Sequence, residues 1–250
     1  MKKGYQLFSA CKKCADAAGL KDVVRRIAAM GYDGVEFFSY AGVPAAEMKA
    51  LLDECGICAF NSHVQLERWQ KDADFEIAYA RALGMEALTI PYIAPEDRNG
   101  ATYEKLCASI PVWAQKCREN GLRLCYHNHD FEFERQEDGR YLLDRILAAD
   151  DELLLEPDTF WAFFAGVDPA ALLEQHRRRV RFIHIKDYLD LEQKPFPAFT
   201  AIGTGRMDNA PVLSKAKEIG AEWIVVEQDN SPIDELESAR LSLQAMRAWF

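Results

Sequence analysis

Four of the five histidines in this 250-residue chain close short β-rich runs, and three of those four stand two residues from another titratable side chain. His127 pairs in this way with His129, and His184 with Lys186; Glu156 and Asp158 repeat the spacing with carboxylates alone. Side chains at i and i+2 of an extended strand point to the same face, so both members of each pair act from one side. Glu36 and His63 end two earlier runs, and Glu227 and Asp229 end the last one. Brought together, these groups would leave unpaired charge out of water, at considerable cost. A divalent cation removes that cost, and a mixed histidine and carboxylate ligand set suits zinc, manganese, iron or cobalt. The chemistry to expect is metal-assisted, with the remaining acids and imidazoles moving protons.

Such residues converge only if the runs are neighbouring strands. Apolar β-rich runs fall at 5–8, 34–38, 57–64, 87–91, 122–127, 153–156, 180–185 and 223–226, alternating with segments of helical periodicity. Helices are expected to end at Gly31, Gly56, Gly84, Gly121 and Gly220, and to begin at Pro44, near Asp72 and at the Asp168-Pro169 capping pair. Runs such as Leu153-Leu154-Leu155 and Ile224-Val225-Val226 are continuously apolar, as parallel strands covered on both faces are. Eight strand–helix units, with no dinucleotide-binding glycine fingerprint after the first strand, predict an α/β protein: a single (β/α)8 TIM barrel over residues 1–250. The active site of such a barrel lies at the C-terminal ends of its strands, where the titratable residues fall.

Composition narrows the partners. The chain is 49% hydrophobic and is expected to fold around a core. Forty acidic against 30 basic residues give a net charge of −10, which argues against nucleic acid and anionic lipid but leaves small substrates open. The apolar run after Met1-Lys2-Lys3 stops at Phe8, and no stretch approaches the roughly 20 apolar residues of a membrane span. Seven cysteines, an odd number, are expected as reduced thiols in a cytoplasmic protein. Cys11/Cys14 and Cys55/Cys58 have Cys-x-x-Cys spacing, but the pairs lie too far apart for a zinc ribbon and read as core residues.

Five motifs together resemble the xylose-isomerase-like barrel family: Gly34-Val35-Glu36, Tyr126-His127-Asn128-His129-Asp130-Phe131-Glu132-Phe133, Glu156-Pro157-Asp158-Thr159-Phe160-Trp161, Phe182-Ile183-His184-Ile185-Lys186-Asp187 and Val226-Glu227-Gln228. That family groups sugar-phosphate isomerases and epimerases with inosose dehydratase-like and endonuclease IV-like enzymes. The resemblance covers nearly the whole chain. It implies a divalent metal, manganese first, with magnesium, zinc or cobalt as alternatives, held by residues of strands five to eight. Asp158, His184 and Glu227 match three ligands of the family. On strand five, where many members carry glutamate, this chain offers His127 as the ligand, with His129 as an acid/base or second ligand. The resemblance also implies substrate contacts. Glu36 and His63 would bond sugar hydroxyls, Trp161 would stack on a pyranose face, and Lys186 would hold an oxyanion or carbonyl. Arg206, in Gly203-Thr204-Gly205-Arg206, occupies the loop where the family often presents a substrate arginine.

The expected activity is isomerisation or epimerisation of a sugar or sugar phosphate through a metal-stabilised enediolate, with Glu156 or Glu227 moving the proton. Family epimerases exchange the proton between two metal-bound glutamates. Histidine in place of one of them raises a second reading, a lyase that dehydrates an inosose or keto-sugar. A barrel that binds a sugar without catalysis is a third. A homo-oligomer is compatible with all three.

Overall fold

Eight parallel strands carry the architecture in a computed structural model of the chain, which describes residues 1–249. They are β1 (Lys2–Gln6), β2 (Gly34–Phe37), β3 (Cys58–Ser62), β4 (Ala87–Ile90), β5 (Arg123–His127), β6 (Leu154–Glu156), β7 (Phe182–Ile185) and, after a hairpin, β10 (Trp223–Val226). The strands pair in the orders β3-β2-β1-β10-β7 and β4-β5-β6. Isolated parallel bridges join the two groups at both seams: His63 with Thr89 at one, Leu155 with Val180 and Asp158 with His184 at the other. The strands therefore run round a ring, as the alternation of elements predicts.

The covering helices are α1 (Ala17–Met30), α2 (Ala45–Cys55), α3 (Leu66–Leu83), α4 (Gly100–Glu119), α5 (Leu142–Leu147), α6 (Thr159–Phe164), α7 (Pro169–Gln175), α8 (Ala210–Ile219) and α9 (Glu235–Trp249). Their starts follow the sequence signals. Asp168 caps α7 by accepting from the amides of Ala170 and Ala171. Helix α3 begins at Leu66, earlier than the sequence suggests, but it is kinked at Asp72, whose carboxylate caps the amide of Phe75 at 2.9 Å. The expected start at residue 72 is thus the start of its second segment. Two features escaped the periodicity. Helix α6 is a single apolar turn and a half after Asp158, and strands β8 (Asp187–Asp190) and β9 (Ala198–Thr200) form an antiparallel hairpin after β7.

Inside the ring the lower layer is apolar. Phe60 stacks on Trp223 with ring centroids 4.0 Å apart and on Phe182 at 5.8 Å, packed with Ala87, Cys125 and Leu154. A side chain at Gly34 would stand 2.6 Å from the Trp223 ring, so glycine there makes room for the indole. Two residues further along the same strands the chemistry changes: Phe182 gives way to His184, Leu154 to Glu156, Cys125 to His127 and Gly34 to Glu36, all buried. The period of two thus stacks a polar layer on an apolar plug.

The cysteines differ from expectation. Cys14, Cys117 and Cys125 are buried, but Cys58 is exposed, and Cys11, Cys55 and Cys107 are partly so. Cys58 opens β3 at the N-terminal end of the barrel, whereas Cys11 and Cys14 follow β1 at the other end. Topology alone keeps the two Cys-x-x-Cys pairs from sharing one ion.

Candidate metal centre and active site

His184 sits at the middle of the polar layer with both ring nitrogens engaged: Nδ1 lies 2.8 Å from Glu227 Oε2 and Nε2 2.7 Å from Glu36 Oε2. Burial disfavours its charged form, but Glu36, Glu156 and Glu227 overcome this and hold its pKa well above the ordinary value. His63 Nε2 stands 2.8 Å from Glu156 Oε2, and the Asn61 amide donates to Glu36 at 2.6 Å and to Glu156 at 2.9 Å. Burial and the neighbouring Glu156 charge raise Glu36 to about 7. Burial pushes Glu156 the same way, but the charges and hydrogen bonds of His184 and His63 reverse this and keep it well below the carboxylate range.

Lys186, wholly buried, donates to Asp158 at 2.6 Å, lies 2.9 Å from Glu227 and 3.3 Å from Asp229, and keeps its ammonium charged despite burial. Asp158 also caps α6, accepting from the Trp161 amide at 3.0 Å. Its position is fixed from below by Asn128, whose side chain donates to the Asp158 carbonyl and accepts from its amide, each at 3.2 Å.

Two groups have donor atoms close enough to hold an ion. In one, His127, Asp158, His184 and Glu227 offer atoms within 4.8 Å of one another; the other gathers His63, His127, Glu156 and His184. The first is the set the resemblance implies. Three observations show that these residues fit a divalent cation. Five carboxylates gather here, Asp158, Glu227 and Asp229 around the ammonium of Lys186, and Glu36 and Glu156 around the rings of His63 and His184, so acids outnumber the groups that can balance them. His127 is buried, and its Nδ1 has no hydrogen-bond partner. Burial and the nearby His184 keep that imidazole neutral, the form that ligates metals.

Above the polar layer opens a cavity of about 270 Å3, lined by Phe8, Phe38, His63, Gln65, Pro91, Tyr92, His127, His129, Trp161, Phe196, Glu227 and Asp229. Of the residues expected to meet substrate, His63, His129, Trp161 and Glu227 reach this wall. Glu36, Glu156 and Lys186 do not. Glu36 and Glu156 have their polar atoms committed to Gln6, Asn61, His63 and His184, and Lys186 is buried against Asp158, Glu227 and Asp229. Arg206 is exposed and lies outside the lining, its amide bonded to the Tyr188 carbonyl at 2.9 Å. Trp161 packs edge-to-face with Phe160, Phe164 and Phe199 and lies on the cavity wall.

Three supporting residues were not anticipated. Asn61 and Asn128 are uncharged and carry no spacing signal. Glu132 accepts from the Tyr126 hydroxyl and from the His129 amide, each at 2.7 Å, and so fixes the turn that carries His129. It lies three residues beyond the histidine it holds, a local-turn spacing that could have found it.

Residues 24–249 match the model of the xylose isomerase-like TIM barrel family. The inosose dehydratase of Geobacillus kaustophilus is 26% identical, across 87% of this chain and 84% of its own length; other inosose dehydratases match over about half of theirs. Among solved structures, a sugar phosphate isomerase/epimerase from Parabacteroides distasonis superposes with a TM-score of 0.79 at 22% identity, covering 99% of this chain and 94% of that one. The IOLI protein, crystallised with a bound zinc atom, gives 0.73 at 13% identity, with 99% and 97% covered. The match to the family model spans nearly the whole chain, and this protein belongs to the xylose isomerase-like TIM barrel family.

Proposed function

We propose that this protein is a divalent-metal-dependent lyase that dehydrates a keto-sugar or inosose. The observation that carries the reading is one juxtaposition. His127, Asp158, His184 and Glu227 converge beneath a cavity whose wall presents His129, an imidazole with Nδ1 unpartnered. These four residues would hold the metal, with manganese the first choice; the ion, when bound, supplies Lewis acidity toward a substrate carbonyl and makes the neighbouring C–H more acidic.

The remaining steps belong to the chain. Lys186, clamped between Asp158 and Glu227, fixes the geometry of both carboxylates. His129 takes the proton from the carbon next to the carbonyl. The C–H pair becomes a carbon–carbon double bond as the β carbon–oxygen bond breaks. The proton on His129 goes to the departing hydroxyl, which leaves as water. One neutral base on one side suits elimination. Glu132 keeps that base in place through its backbone amide. The names of the inosose dehydratase relatives support the same chemistry.

Isomerisation or epimerisation is the second reading, and Glu227 favours it as a carboxylate on the cavity wall that could return a proton. Mass spectrometry of a keto-sugar panel incubated with manganese-loaded protein separates the two. Elimination gives a product lighter by one water; epimerisation leaves the mass of the carbon skeleton unchanged and exchanges one hydrogen with solvent.

A further inference from the structure

The cavity above the metal ligands is built from two unlike parts. His63, His127 and Glu227 line it and are almost wholly buried, so they form its floor. Phe8 and Phe196 line it too, yet stand 39% and 51% exposed, and Phe38 is half-buried, so these rings form its mouth. They come from three separate segments: the turn after β1, the residue after β2 and the β8–β9 hairpin. Two of the three are tied to the site itself. The Phe8 amide donates to Gln6 Oε1 at 3.0 Å, and Gln6 Nε2 donates to Glu36 at 2.8 Å. The Phe8 and Phe38 rings meet edge-to-face with centroids 5.4 Å apart, and the Phe38 carbonyl accepts from Arg68 at 3.0 Å.

Phenyl rings left in water around a cavity mouth are costly unless a ligand covers them. A bare keto-sugar suits the floor but not the mouth. Every ring carbon of an inosose carries an oxygen, and hydroxyls pressed on phenylalanine lose water without gaining a partner. One ring could take the C–H face of a sugar, but three rings on three segments make a wider apolar surface than one such face covers. Among the described residues no arginine or lysine lines the cavity, so the mouth has no cation for an acidic substituent. A flat aryl group matches it, since aromatic rings pair edge-to-face or offset as Phe8 and Phe38 already do.

We infer that the substrate is a keto-sugar bearing an aryl substituent, and that Phe8, Phe38 and Phe196 form the subsite for that group. The inference rests on the reading of the cavity as a keto-sugar site and adds the group that the sugar carries.

Calorimetric titration with the 3-keto derivatives of phenyl and methyl β-D-glucopyranoside tests it, because the two differ only in the group at issue. Manganese-loaded His129→Gln protein, which lacks the proposed base, limits turnover during the titration. The phenyl compound is expected to bind at least about tenfold more tightly than the methyl one. Phe196→Ala in the same protein should remove most of that difference and leave the methyl compound unchanged, whereas a merely structural role would weaken both. Phe75→Ala removes a ring that is 53% exposed and outside this cavity, and should leave the ratio as it was. Equal affinities for the two compounds overturn the inference while leaving the keto-sugar reading intact. If neither binds, the keto-sugar reading itself fails and the inference with it. Sedimentation velocity supplies a second readout. A dimer that Phe196→Ala dissociates would give the rings to an interface with a second copy and overturn the aryl subsite.

Discussion

At the scale of single residues, His184 holds the site together, since it alone bridges Glu36 on one side and Glu227 on the other. Replacing it by Gln, or Asp158 by Asn, removes a metal donor. Each is expected to lower metal content on elemental analysis and turnover by at least about a thousandfold. In the proposed reaction His129 acts on the substrate rather than the ion. His129→Gln should retain the metal and lose about 100- to 10,000-fold in turnover, which steady-state kinetics beside elemental analysis would separate. Residue types at the strand ends and the i, i+2 spacing made a metal-capable cluster legible in the sequence, and the family resemblance picked His127, Asp158, His184 and Glu227 out of it. What the spacing could not give was which strand ends reach the cavity. Glu36 and Glu156 end their strands, yet they do not line the cavity, because their carboxylates are taken up by Asn61, His63 and His184.

At the scale of elements, the segment after β7 decides the shape of the site's far wall. Asp187 receives four amides, from Tyr188, Gly203, Gly205 and Met207, and thereby ties the loop carrying Arg206 back to the hairpin. A side chain at Gly205 would overlap the Asp187 carboxylate and the Tyr188 carbonyl. Gly205→Ala is therefore expected to destabilise the fold by about 2 kcal/mol or more, read as a lower denaturation midpoint. An unchanged midpoint would mean that the clamp carries no weight. The eight strand–helix units were legible because apolar runs and glycine stops repeat with a regular period. Strands β8 and β9 were not, since three or four residues of mixed polarity carry no period, and their pairing is set by a turn between distant segments.

At the scale of the molecule, the acidic excess divides into two parts. Most of it lies on the surface, while a few carboxylates are buried at the strand ends, where burial changes how the protein responds to pH. Glu132 is the clearest case: burial raises its pKa to about 8, opposed by its bonds from Tyr126 and the His129 amide. A carboxyl with a raised folded-state pKa contributes stability that is present below its unfolded value and is lost as pH rises through the folded one. The wild-type protein should therefore lose stability between about pH 5 and about pH 8 from this group, and Glu132→Gln should flatten that part of the curve. Thermal melts across the range would show it; parallel curves for the two proteins would refute it.

The central claim joins the metal ligands of strands β5 to β10 to elimination chemistry in the cavity above them. Its most direct test is the product mass formed from scyllo-inosose by manganese-loaded protein, with Asp158→Asn as the control. The expected result is a metal-dependent product lighter by one water, formed by the wild type and absent with the variant. A product of unchanged mass, or the same dehydration by the metal-free protein, would contradict it.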